Sequence, residues 1–445
     1  MTASKSKKNK YEIDMCNGTV LDKLISFSIP LMLSSILQLL FNAVDIVVVG
    51  RFSGSRALAA VGSTTALINV FTNLFIGVSL GANVLAARFY ATKQEKQMSE
   101  TVHTAVTFAL ISGIVMVFVG LFFSKAALLL MDTPSDVIGQ SALYMRIYFA
   151  GMPFFMLYNY GAAILRAVGD TKRPLFFLII AGIVNAALNL FLVIVLHLGV
   201  AGVAIATVIA QMISCLLVLR CLYRSDGSYQ LRFSAMTIKW IYLKQIFQVG
   251  IPAGIQSTVI NFSNVLLQSS VNSFGSIAMA GYTAANNIFG FLYAAANSIT
   301  QACMSFTSQN YGAGKWKRMD KVLSLILGGG SYLFGPELLK IYTSDPKVIQ
   351  CGMEILLYTT VTYFMCGLMD LFPGALRGMG YSAIPMLLSI IGTVGTRIVW
   401  IFMIFPRHRS LDVLFISYPA SWLITIILQV ICYFFVRKRI HNPLP

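Results

Sequence analysis

The sequence predicts an all-α polytopic membrane protein: twelve transmembrane helices in two homologous six-helix lobes around a central cavity. Three observations predict it. First, the chain is 57% hydrophobic and 11% charged over 445 residues, with a mean hydropathy of +0.77, whereas a soluble globule carries about 25% charge. Second, apolar runs of about 20 residues, enough to cross a bilayer once, recur along its length. Third, the chain nearly repeats itself at a shift of about 221 residues, so that Ile29-Pro30 matches Ile251-Pro252, Tyr90 matches Tyr311 and Lys96 matches Lys317. Further on the shift becomes 211: Leu165-Arg166 matches Leu376-Arg377, Gly169 matches Gly380 and Pro174 matches Pro385. Two similar lobes that can rock about one central site are the plan of a transporter. A repeat of this length is no solenoid, whose units run about 20–50 residues.

The elements follow in order. Residues 1–23 form a basic, polar tail, disordered before Tyr11, with no cleavable signal. Spans are expected near 24–49, 57–90, 101–130, 137–164, 174–196 and 201–222, together making a first lobe over 24–222. A polar linker at 223–240 contains the turn run Arg224-Ser225-Asp226-Gly227-Ser228. A second lobe over 241–436 holds spans near 241–273, 278–311, 321–334, 347–372, 385–405 and 411–436, before a tail at 437–445. The 321–334 segment is about ten residues shorter than its counterpart in the first half. At 1.5 Å per residue it is too short to cross about 30 Å. The expectation is a truncated span, with residues missing near 323–327. Pro30 and Pro252 sit early in the first span of each lobe, where a lost backbone hydrogen bond can kink a helix.

The net charge of +17 invites a nucleic-acid reading, but its distribution opposes one. With a cytoplasmic N-terminus, 24 Lys/Arg fall on the cytoplasmic side and 6 on the other. That bias places both termini inside. The seven cysteines form no CxxC pair and read as packing residues. The four histidines show no metal-ligand spacing.

Acids inside the membrane need a reason, because a mid-bilayer charge costs at least roughly 2.5–3.5 kcal/mol. Asp45 and Asp370 are the well-embedded ones, with Glu354 a less certain third. Asp45 shares one face of span 1 with Gln38 and Asn42. It is expected to serve a coupling ion or substrate; the alternative is an interhelical hydrogen bond of purely structural value. Low dielectric penalises the charged form of a carboxylate, which suits such a group to taking up and releasing a proton. Asn159, Asn185, Asn189 and Thr207 on spans 4, 5 and 6 could complete an oxygen-rich pocket around it. Singly, a buried Asn or Thr is more often interhelical glue. In the second half, Asn261, Asn264 and Gln268 share a face of span 7, and Leu267 stands where the first half has Asp45. Asp370 belongs either to the cavity or to a cytoplasmic helix end. Asn286, Asn287 and Tyr293 on span 8 are further candidates. Gly77-Val78-Ser79-Leu80-Gly81 matches a nucleophile-elbow pattern, but no strand precedes it. Its glycines, like Gly250 and Gly254, have the GxxxG spacing of close helix packing.

The stretch Leu165-Arg166-Ala167-Val168-Gly169-Asp170-Thr171-Lys172-Arg173-Pro174, its echo from Leu376 to Pro385, the Asn42 to Arg51 segment and the Asn185/Asn189 pair resemble the MATE family of multidrug and toxic-compound extrusion transporters. The resemblance spans roughly 20–436. It implies a cell-membrane antiporter that exports small organic cations in exchange for H⁺ or Na⁺, acts as a monomer among membrane lipids, and uses no cofactor, no enzymatic step and no nucleic acid. It also implies that Asp45, Asn159, Asn185, Asn189 and Thr207 form the coupling-cation site, with a possible Na⁺ at Asp45, Asn185 and Asn189. Gln38, Asn42, Asn261, Asn264, Gln268 and Asp370 would line the substrate cavity. Many relatives carry Asp where this chain has Asn189, which leaves Asp45 the lone acid of the pocket and tilts the coupling ion towards H⁺. Two other readings are a lipid-linked oligosaccharide flippase of the same superfamily, which would want a basic cavity, and a non-transporting membrane scaffold.

Overall fold

The computed structural model describes residues 11–131, 133–272, 276–322, 363–408 and 410–441. The short 321–334 span falls almost wholly outside the described residues, as do Glu354 and Cys351.

The described helices are α1 (Leu21–Phe52), α2 (Gly54–Ala91), α3 (Glu95–Leu130), α4 (Ile138–Ala150), α5 (Met152–Ala167), α6 (Lys172–Val195), α7 (Gly199–Tyr223), α8 (Trp240–Asn272), α9 (Ser276–Gly312), α10 (Tyr363–Gly378), α11 (Ala383–Ile404) and α12 (Leu411–His441). Seven helical segments among the described residues are long and apolar enough to cross a membrane. The chain is a multi-pass membrane protein. At 32 residues, α1 runs about 48 Å and extends past a hydrocarbon layer of about 30 Å. Ile46 and Val47 on it are exposed, as lipid-facing residues would be.

The fourth expected span, 137–164, is two helices rather than one. The chain breaks at Gly151, and Pro153 cannot donate a backbone bond there. A Cβ on Gly151 would fall 2.7 Å from Val208 Cγ2, so the break also lets α7 come close. Helix α6 departs from regular α geometry at its end, and α11 both in its middle and at its end. A π turn covers Phe191–Val195 in the first, and π turns cover Ile390–Gly395 and Trp400–Ile404 in the second. Such turns recur at functional sites.

The repeat seen in sequence survives as geometry. Gly169 and Gly380 both have φ +93. In each case the following amide closes back five residues, Asp170 to Leu165 O and Tyr381 to Leu376 O, both at 2.9 Å. This left-handed cap satisfies the last carbonyls of α5 and α10 and fits glycine best.

The lobes meet along α2 and α8. The two GxxxG pairs face each other there: a Cβ on Gly77 would fall 2.9 Å from Gly250 O, and one on Gly254 would fall 2.7 Å from Leu74 O. Small residues allow this backbone approach where no side chain could fit. The nucleophile-elbow pattern is thus part of a helix seam.

The end of the bundle carrying the N-terminus is sealed. Asn83 donates to Ala163 O at 2.9 Å and accepts from Ser305 Oγ at 3.1 Å. Ser308 reaches Val84 O, and Gln309 reaches Ala167 O, both at 2.6 Å. Residues 11–18 lie over this seal as a strap. Glu12 accepts from Tyr90 at 2.8 Å and Tyr229 at 2.7 Å on the first-lobe side. On the other side, Asn310, Lys315 and Arg318 donate to backbone oxygens of residues 15–18. The linker is pinned too: the Arg232 amide donates to His103 Nε2 at 3.0 Å, which fixes the imidazole proton on Nδ1, facing Ser99 O.

Candidate coupling site and central cavity

Two separate polar sites emerge. The first is enclosed within the first lobe by α1, α6 and α7. Asp45 is 6% exposed and Asn189 fully buried. Asn189 Nδ2 donates both to Asp45 Oδ1 and, at 3.1 Å, to Asn185 Oδ1. Thr207 Oγ1 lies 3.1 Å from Asp45 Oδ2 and 3.0 Å from Val203 O. Asn185 Nδ2 approaches the same hydroxyl at 3.5 Å. The one-turn spacing of Asn185 and Asn189 puts both amides on one face of α6, just before its π turn. One carboxylate, two amides and a hydroxyl therefore share one buried cluster. Among the described residues no group of three or more His, Cys, Asp or Glu side chains forms a metal cage.

Asn159, expected in this cluster, is not there. Its amide donates to Phe155 O of its own helix at 2.8 Å, and it lines the central cavity instead. It sits below the break at Gly151, and α5 presents it to the gap between lobes.

The second site is that cavity, of about 470 Å³. Gln38, Asn261, Asn264 and Asp370 line it, as expected, together with Tyr293. Asp370 therefore belongs to the cavity and not to a helix end. Asn42 is absent from the lining and exposed elsewhere. On a 100° helical step it is turned about 40° from Gln38 and about 60° from Asp45, on the side away from Asp45. Asp45 lies two turns along α1 from Gln38, at a level where α6 and α7 have closed over it. The side chains of Gln268, Asn286 and Asn287 lie outside those described.

Sequence reasoning missed two features of the cavity. Gln256 and Gln301 line it from α8 and α9. So do Arg166 and Arg377, which the charge count had placed in cytoplasmic segments. Both sit in the last turn of a helix, α5 and α10, where the helix dipole favours cations. Side chains on a helix lean towards its N-terminus, so these two point back into the bundle. Their match across the repeat was the available signal. Arg397, buried on α11, completes the set. It donates to Asn264 Oδ1 at 2.8 Å and Ser421 Oγ at 3.3 Å, and it lies 4.5 Å above the Tyr418 ring.

Helix α1 joins the two sites. Its C-terminal half carries Asp45, whereas its N-terminal half packs on the opposite lobe, where Phe27 meets Phe306 edge-on at 5.7 Å and Ser35 meets Ser298 at 3.3 Å.

Comparison with known proteins places this architecture. The MatE family model matches residues 30–191 and 252–403, one match in each half. A probable multidrug resistance protein of Bacillus subtilis (strain 168), YoeA, is 29% identical over 434 residues, 93% of either chain. The probable multidrug resistance protein NorM of Thermotoga maritima is 25% identical over 392 residues, 83% of this chain and 82% of that one. Among solved structures, an outward-facing multidrug resistance MATE family transporter of the MOP superfamily superposes with a TM-score of 0.87 at 19% identity, covering 98% of this chain and 99% of that one. A MATE structure in the bent conformation gives 0.86 at 19% identity, covering 98% of each. The fold is the same twelve-helix, two-lobe fold.

Proposed function

Because this chain belongs to the MatE family of transporters, we propose that it is a secondary active exporter of small organic molecules in which protonation of Asp45 drives the cycle. The reading places both termini in the cytoplasm, with the cavity opening to the outside and the strap-covered seal inside. One observation carries it: Asp45 is buried among Asn185, Asn189 and Thr207, outside the cavity lining, on the helix that also lines the cavity. The groups nearest its oxygens are an N–H and an O–H donor rather than oxygens turned towards a common centre. Such an environment suits a carboxylate that gains and loses a proton.

The cycle follows from the position of α1. Ionised, Asp45 holds the outer half of α1 to α6 and α7 through two donors. A proton from outside removes the charge those donors satisfy, and the hold weakens. Pro30 has no amide hydrogen, so α1 lacks one backbone bond where its inner half meets the other lobe. Neutralisation then shifts the balance between outward-open and inward-open states by the difference in proton affinity between them. Substrate and proton need not share a site; they need only bias the same two states.

The test is dye efflux from proteoliposomes under an imposed pH gradient and then an imposed Na⁺ gradient, using ethidium and fluorescein, with wild type beside Asp45→Asn. Efflux driven by the pH gradient and lost in Asp45→Asn is expected. Efflux driven only by Na⁺ would replace the proton with sodium at the same carboxylate. Efflux unchanged in the variant would remove Asp45 from the mechanism. A second reading, flipping of a lipid-linked anion, is favoured by the arginines of the cavity. It predicts no dye efflux under either gradient by a correctly folded protein.

A further inference from the structure

The segment joining the two lobes turns aromatic rings and basic side chains outward on a backbone that is itself held down. Tyr229 and Leu231 are buried, and Met236 packs against the first-lobe core. The Arg232 amide is bonded to His103 of α3, and the Lys239 amide donates to Thr104 Oγ1 at 3.1 Å. Phe233 opens a single 3₁₀ turn, Phe233–Ala235, and is 57% exposed. Its ring stacks on that of Tyr223 at the end of α7, with centroids 5.7 Å apart. Trp240 and Ile241 open α8 and are 68% and 63% exposed. Residues 220–244 carry five cations, Arg220, Arg224, Arg232, Lys239 and Lys244, all exposed, and one acid, Asp226. Glu100 of α3 also faces the segment and accepts from Tyr242 at 2.9 Å.

Three helices give the depth of this surface. The exposed apolar belt of α3 runs from Ile111 to Leu130. That is about 28 Å at 1.5 Å per residue, close to a hydrocarbon layer of about 30 Å. Thr104, which holds the segment, lies about 10 Å past the end of the belt. The outward face of α7 reads Leu216, Arg220, Tyr223: apolar, basic and aromatic within about 10 Å. That of α8 reads Ile255, Ile251, Gln248, Lys244, Trp240, which ends in the same order. A bilayer with its headgroups is about 40–45 Å thick, so its polar layer begins where these cations stand. Tyr and Trp favour that interface, and long basic side chains reach along it. A contiguous exposed patch of this kind marks an interaction surface.

From this arrangement we propose that residues 220–244 form a docking surface for anionic phospholipid headgroups, in the leaflet at the end of the bundle that carries the N-terminus. The phosphates pair with its arginines and lysines, and the glycerol and upper acyl region lies against Tyr223, Phe233 and Trp240. Charge complementarity selects this occupant. Arginine meets a phosphate in two-point hydrogen bonds, and each basic residue close to an anionic leaflet favours it by about five-fold. A zwitterionic headgroup offers the same phosphate with its charge cancelled. The segment is pinned to α3 of the first lobe and continues into α8 of the second, so lipid docked along it bridges both lobes.

The experiment counts the lipids retained by the purified full-length protein in native mass spectrometry, after exposure in detergent to equimolar phosphatidylglycerol and phosphatidylcholine with the same acyl chains. Wild type is expected to retain phosphatidylglycerol at least five-fold over phosphatidylcholine. The triple variant Arg224→Gln, Arg232→Gln, Lys239→Gln keeps the backbone bonds to His103 and Thr104, and its preference is expected to fall to within about two-fold of parity. Should it fail to fold, Arg224→Gln alone carries the test, with a loss of about two- to five-fold. The control pair Lys125→Gln, Arg407→Gln removes exposed cations from the other end of the bundle and is expected to keep the wild-type preference. Phe233→Ala with Trp240→Ala is expected to lower retention of both lipids about three-fold. Equal retention of the two lipids by wild type overturns the proposal. So does a preference that survives in the triple variant, or one lost as fully in the control pair, which marks net charge rather than this surface. Excess inorganic phosphate that strips the phosphatidylglycerol away also overturns it, because the occupant is then a free anion; retention in its presence supports the lipid. No gradient or transported substrate is present, so failure of the coupling reading leaves this result standing, and the reverse.

Discussion

Asn189 donates a hydrogen bond to Asp45 across 144 residues of sequence, while its own carbonyl oxygen is buried with no partner. The contact between Asp45 and Asn189 has two hydrogen-bonded arrangements. With Asp45 ionised, the amide presents N–H to it. With Asp45 protonated, the carboxyl becomes a donor, and a half-turn of the amide brings Oδ1 to accept from it. Asn189→Ala removes both. A buried group left unpaired costs about 1–3 kcal/mol, more when charged. The variant is expected to unfold at lower temperature and to lose at least ten-fold in gradient-driven efflux. Wild-type stability and coupling in Asn189→Ala would mean that the pair is incidental.

The separation of Asn159 from this cluster predicts a split phenotype. Asn159→Ala alters the cavity wall and leaves Asp45 and its three partners in place. Its substrate Kd should change several-fold, while the pH gradient needed for half-maximal efflux stays as in wild type. A shifted gradient requirement with unchanged substrate affinity would return Asn159 to the coupling site.

Gly77 and Gly250 fix how near the lobes stand. A Cβ on Gly250 would approach Gly77 O and Val78 O at 2.9 Å, backbone atoms that cannot move aside. Gly250→Val is expected to cost about 1–3 kcal/mol or more through overpacking. Thermal unfolding should register that loss. Cysteines introduced on α2 and α8 beside the seam should also cross-link more slowly. The control is Gly62→Ala, where nothing lies within 4 Å of the added carbon and no change is expected.

The strap makes a fourth prediction. Burial, and then the neighbouring Glu12, push the Tyr229 phenol up to about 12, so it remains a donor to Glu12 at every physiological pH. Burial also raises the Cys16 thiol above its ordinary value, and its sulfur lies 4.0 Å from Gln309 Oε1. In a protein whose other cysteines are replaced, Cys16 should react slowly with maleimide. Glu12→Ala removes the acceptor shared by Tyr90 and Tyr229, and labelling of Cys16 should accelerate about ten-fold. Equal labelling rates would show that Glu12 does not hold the strap closed.

Much of this protein was determined by the sequence alone. Hydropathy placed the membrane helices, because about 20 apolar residues have few alternatives in water or lipid. The internal repeat gave two lobes, and the equal φ of Gly169 and Gly380 shows that repetition reaching the backbone. Asp45, Asn185, Asn189 and Thr207 were legible because a polar residue in an apolar span is conspicuous. What only the tertiary structure decided is which polar groups share a space. A charge near a helix end reads as cytoplasmic in sequence, yet Arg166 and Arg377 lean back along their helices into the cavity. Asn159 and Asp45 both look like pocket residues, yet α6 and α7 close over one and leave the other open. The place of Arg166 and Arg377 was hidden for the same reason: charge along the chain reports topology, whereas charge at a cavity depends on the direction of a few long side chains.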